Sequence, residues 1–129
     1  PNLARKAFAK LKESVESTQS HFPKEELHHI RILVKRARYT VELSEPFLGK
    51  HARRFLQQAK SLQEVLGQHQ DALVLEHQLL SHRTLTRRPG VAFVKGILVE
   101  RVRNRQKAAR QKLPQLWEKL RKLGRNLSK

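Results

Sequence analysis

His28, Arg31, Lys35 and Arg38 stand three, four and three residues apart within the run LHHIRILVKRARY, residues 27–39. At about 100° per residue those spacings return to one side of a helix, stacking four donors along roughly three turns. Arginine offers a planar fork suited to phosphate oxygens, lysine a mobile point charge, and histidine one or two ring donors. Like charges at such spacings cost an isolated helix about 0.2–0.5 kcal/mol per pair. A polymeric anion lying along the stripe would offset that cost. The same pattern also describes a solvated outer face, with Glu42 as a salt-bridge partner. Tyr39 lies beside the stripe and Arg36 lies off it.

The remaining chemistry-bearing residues are less well ordered. Arg101 and Arg105 fall on the same side of their helix as Val94, Ile97, Leu98, Val102, Ala108 and Ala109. A guanidinium facing a core is costly unless it is paired or reaches water, so either an acidic partner or a polar channel is expected there. Among seven histidines, none pairs at i, i+4 beside a carboxylate as in the zinc-protease motif. His69 with Asp71 is too few ligands for a metal site, and His77, on an apolar stripe, reads as a core residue. No glycine-rich phosphate loop, serine elbow or cysteine nucleophile is present. The adjacent carboxylates Glu25 and Glu26 suit the positive end of a helix dipole. No catalytic residue, metal or cofactor is expected.

These residues must be positioned by helices, because period-three-to-four patterning dominates and period two does not occur. The first helix carries Ala4, Ala7, Phe8, Leu11 and Val15 and should end near Ser17–Ser20, with Pro23 in the first turn of the next. The second should run from about Lys24 to Ser44, punctuated by Pro46 and Gly49. Its apolar seam is Leu27, Ile30, Leu33, Val34, Ala37 and Val41, opposite the basic stripe. A third helix spans about Lys50–Leu66, with Gly67 as a left-handed stop, and a fourth about Gln70–Leu85. The fifth runs from near Val91 to Pro114, where the chain should kink or restart, and Gln115–Leu123 adds a last amphipathic piece. The expected fold is all-α, an antiparallel four-helix bundle with an additional terminal helix or kinked extension, forming one domain over residues 1–129.

With 28 Lys and Arg against 11 Asp and Glu, the formal net charge is +17. Such a charge steers the chain toward nucleic acid, polyphosphate or an acidic membrane surface without choosing among them. No apolar run approaches the roughly 20 residues of a membrane span, so no membrane partner is expected. The lack of cysteine rules out disulfides and thiolate chemistry and fits a reducing cytosol. Seven aromatic residues, several of them on apolar stripes, argue against the base-stacking platforms of single-strand binders. Nonspecific nucleic-acid binding at low salt is still expected. The chain opens at Pro1 without an initiator methionine, which suggests a piece of something longer.

The run Leu27–Ile32 followed by Val34–Tyr39 resembles the signature helix of the CHAD family, the conserved histidine α-helical domains. Lys60–Gly67 with His69–Ala72 is similar to the family's segment joining two helices. Gly96–Leu98 with Arg101, and Leu113–Trp117, look like its terminal helix, and the blocks occur in the family's order. The resemblance implies two related four-helix halves around a basic groove, with inorganic polyphosphate as the ligand and association with polyphosphate granules in the cytoplasm. This sequence is similar to the C-terminal half alone, so a homodimer or a missing N-terminal half would complete the site. The resemblance points to His28, Arg31, Lys35 and Arg38, to Lys60, then to Arg36, with weaker support for Arg101; Arg105 joins them from the helix pattern. The expected function is noncatalytic polyphosphate binding. The alternatives are a nucleic-acid or acidic-protein binding module, or an accessory domain of a triphosphate-processing enzyme.

Overall fold

A computed structural model describes residues 2–16, 24–81 and 88–127, which form four α-helices and no strand. They are α1 (Asn2–Glu16), α2 (Leu27–Leu48), α3 (Lys50–Ser81) and α4 (Pro89–Asn126), with a 3-10 turn at Lys24–Glu26 leading into α2. The all-α bundle expected from periodicity is present. The expected boundaries at Ser17–Ser20, Pro23 and Leu85 lie outside the described residues.

Two joints are corrected. The expected third and fourth helices are one, because α3 continues through Gly67. A glycine costs a helix only about 1 kcal/mol relative to alanine, and buried Leu66, His69 and Ala72 hold the chain on both sides of it. The left-handed turn belongs instead to Gly49, at φ 64°, where α2 passes into α3. Likewise α4 runs unbroken through Pro114. The proline removes one backbone donor, while Leu113 and Trp117, both in the core, anchor the helix on either side.

Length then shapes the molecule. At 1.5 Å per residue, α2 reaches about 33 Å, α3 about 48 Å and α4 about 57 Å. The shared core gathers Phe8 and Leu11 of α1, the α2 seam, Phe55 and Leu62 of α3, and Leu113, Trp117 and Leu120 of α4. Phe8 meets Phe55 edge-on at 5.7 Å and stacks on Trp117 at 6.3 Å. On α3 and α4 that core stops at Leu66 and Leu113. Beyond it the two long helices continue as a hairpin arm, with Ala72, Val99, Val102 and Ala109 buried between them. No helix among the described residues is long and apolar enough to cross a membrane.

Candidate anion-binding surface

With the α2 seam buried, the basic stripe lies along its edge and not opposite it as expected, because the four residues stand only about a third of a turn from the seam's centre. His28 is exposed, while Arg31, Lys35 and Arg38 are partly buried on the flank toward α3. Arg38 fixes that flank: its Nη1 donates to Gln63 Oε1 at 2.9 Å and its Nε to Glu42 Oε1 at 3.2 Å. Its guanidinium also lies 5.1 Å from the Tyr39 ring centre. The Glu42 pairing weighed for the whole stripe is thus realised at Arg38. One heptad earlier, Arg31 has a buried Nε with no hydrogen-bond acceptor in the protein, a condition worth about 1–3 kcal/mol if left unmet. Arg36 is exposed on another side, where its carbonyl accepts the Thr40 hydroxyl at 2.7 Å.

At the C-terminal end of the stripe, Arg38 and Lys60 converge on one basin of about 470 Å³. Arg53 and Arg54 line it too. Sequence reasoning missed these two. Their only signal was a pair of adjacent arginines off the α3 apolar stripe, two turns before Lys60, and it meant little until α2 was known to lie alongside.

At the other end, α2 and α3 run antiparallel, so Lys24 lies close enough to His69 and Glu76 to act on both electrostatically. His69 is buried, with Nε2 3.2 Å from Arg110 Nη1. A guanidinium only donates, so Nε2 accepts and the ring is neutral. Burial, then Arg110, then Lys24 hold its pKa below the ordinary 6.5. Glu76 takes a 2.6 Å hydrogen bond from Arg103 Nε, which leads the causes lowering its carboxyl below the usual range. Asp71 is exposed on a different face of α3 from His69, so the two do not converge as ligands. His77, expected in the core, is exposed because α3 there has left the bundle.

The structure does not bring Arg101 and Arg105 to the stripe. Both are exposed. Each is two residues from Arg103, about 200° around the helix, and Arg103 lies on the flank toward Glu76 and Lys24. Arg105 lines a separate concavity with Gln68, Asp71 and Lys112. Neither the buried acidic partner nor the polar channel is needed, because the face that carries them is not a core face. Val94, Ile97 and Leu98 are 54%, 39% and 41% exposed, and the packed face is Val99, Val102, Gln106 and Ala109.

The family model described as CHAD domain matches residues 1–80. The match takes in α1, α2 and nearly all of α3, including the stripe and Lys60. The resemblance at Gly96–Leu98 and Leu113–Trp117 lies beyond it. No curated protein and no solved structure matches the chain.

Proposed function

Because the chain belongs to the CHAD domain family, we propose that it is a noncatalytic module binding inorganic polyphosphate along the α2 stripe and the α3 basin. The observation that carries this reading is the stripe itself: Arg31, Lys35 and Arg38 lie on one partly buried flank, and Arg31 Nε has no acceptor in the protein. That Nε is enclosed by protein, so a phosphate would meet the remainder of the partly exposed Arg31 side chain. Lys60, Arg53 and Arg54 extend the same positive field past Arg38. A polymer with one charge per repeat engages all of these together and releases counterions as it binds.

Single-stranded nucleic acid is the weaker reading. Phe8, Phe55 and Trp117 are committed to the core, and one face of Tyr39 is occupied by Arg38. The three core rings cannot serve as stacking platforms for bases; among the described residues that leaves the other face of Tyr39 and the exposed Phe93 out on the arm, too few and too far apart to form a platform.

A titration at controlled salt, comparing wild type with Arg31→Ala/Lys35→Ala, tests the proposal. Exposed pairs contribute about 1 kcal/mol or less and a charge-assisted bond to a partly buried arginine about 1.5–3 kcal/mol. The double variant should therefore bind long-chain polyphosphate roughly 30- to 300-fold more weakly. Wild type should bind ATP and orthophosphate far more weakly than long chains. Equal affinity for all three, or displacement of polyphosphate by DNA at matched charge and moderate salt, would overturn the reading. Polyphosphate length should stay constant during incubation with the protein.

A further inference from the structure

The basin between α2 and α3 does not end at α3. Arg54 and Gln57 line it and also line a second groove, about 590 Å³, between α3 and α4. On the α4 side that second groove presents Lys119 and Lys122. The two concavities therefore meet over the outer face of α3, with Arg54 at the junction.

Helix register explains the continuity. Arg54, Gln58 and Ser61 recur at four and three residues, which puts them on the α3 flank toward α4. Gln58 Nε2 donates to the Leu116 carbonyl at 3.0 Å, fastening α3 to α4 beneath the groove. Lys119 and Lys122, three residues apart, share the facing side of α4. Two neighbouring carboxylates are already engaged: Glu42, which lines the first basin, by Arg38, and Glu118 by Arg121, whose Nε lies 3.1 Å from Glu118 Oε2. No carboxylate among the described residues makes a close ion pair with Arg54, Lys119 or Lys122, although Lys122 lies within electrostatic reach of Glu118. On α3, Glu64 stands one turn beyond Lys60 and is exposed, so the positive surface is bounded toward the arm.

We propose that a long linear phosphate polymer held on α2 crosses the outer face of α3 at Arg54 and is gripped again by Lys119 and Lys122 on α4. This rests on the polyphosphate reading above and adds a second anchorage, on the helix outside the family match. A short phosphate chain fills the first basin only. A long one engages both, so length selectivity arises from the distance between the two grooves.

The experiment compares wild type, Arg54→Ala/Lys119→Ala/Lys122→Ala, Arg31→Ala/Lys35→Ala, and a charge-matched control, Lys6→Ala/Lys10→Ala/Lys107→Ala. All residues in the first triple and in the control are exposed, so these variants should fold. Tripolyphosphate and long-chain polyphosphate are the two probes. For long chains, the first triple should lose about tenfold in affinity relative to the control. Its slope of log affinity against log salt should fall by about 2, near 0.7 for each phosphate contact removed. Tripolyphosphate should lose only its contact with Arg54, which also lines the first basin, so its salt slope should fall by about 0.7 and its affinity by a smaller factor than that of long chains. Long-chain polyphosphate should also protect Lys119 and Lys122 from acetylation read by mass spectrometry, and tripolyphosphate should not.

A triple variant that matches the control, with both lysines equally reactive in the long-chain complex, overturns the second anchorage. If Arg31→Ala/Lys35→Ala still weakens binding as expected in that case, the α2 site stands alone. If wild type fails to prefer long chains at all, the polyphosphate reading falls and the track with it.

Discussion

His69 is the residue where burial, charge and hydrogen bonding are most tightly joined. It accepts from Arg110 and sits within reach of Lys24, so a proton on its ring is opposed from two elements besides its own. Its folded pKa lies below 6.5. As pH falls under 6.5, the unfolded chain takes up a proton that the folded chain refuses. The contribution to stability is therefore full above 6.5 and is lost progressively toward the lower folded pKa. His69→Gln keeps an acceptor for Arg110 but cannot titrate. Chemical denaturation across that window should show the wild type losing stability on acidification more steeply than the variant, and parallel curves would remove His69 as the cause. Arg31 illustrates the reverse case, a permanent cation whose Nε is buried without an acceptor from the protein. It was legible in the sequence as one of four aligned donors, while its partial burial depends on α3.

At the scale of the elements, glycines separate what a helix prefers from what its neighbours allow. Gly67 and Gly96 lie inside helices, and a side chain at either would meet nothing within 4 Å. Alanine at each should stabilise by about 0.5–1 kcal/mol through helix propensity. Gly124 is buried under Phe8, and an added Cβ would overlap the edge of that ring at Cζ. That ring is held between Phe55 and Trp117 and cannot simply swing aside. Gly124→Ala should destabilise by about 1–3 kcal/mol despite its better propensity. Thermal melts of the three variants test this, and three shifts of the same sign would contradict the close approach of α1 to α4. The sequence marks all three positions alike. Only the packing of α1 distinguishes the third.

The whole molecule divides into a well-filled bundle and a thinner arm. Inside the arm, α3 and α4 meet through Val99 and Val102 and otherwise through small or polar groups: Ala72, Ala109, His69 and Gln106, whose amide donates to the Ala72 carbonyl at 3.4 Å. Leu75, Val74, Leu80 and Phe93 remain well exposed. Less buried apolar surface means lower local stability. Hydrogen exchange should accordingly be faster over residues 74–81 and 90–98 than over residues 55–66 and 113–124. Uniform protection along α3 and α4 would show instead that the arm opens only with the bundle. The proposed binding surface lies on the well-packed part, where both grooves are held by core-anchored helices.

The sequence by itself determined that the chain is helical, that α2 has an apolar seam and a separate basic stripe, and that His28, Arg31, Lys35 and Arg38 share that stripe. These follow from the 3.6-residue period, a local property that needs no neighbour. Tertiary structure alone decided that α3 and α4 run through Gly67 and Pro114, because packing on both sides outweighs a weak local preference to stop. It decided that Val94, Ile97 and Leu98 stay exposed, since periodicity marks an apolar face without saying whether anything covers it. It also placed Arg101 and Arg105 away from the stripe, and Arg53 and Arg54 beside Arg38 and Lys60. Convergence of residues from different helices depends on which helix lies alongside which, and no spacing within one helix records that.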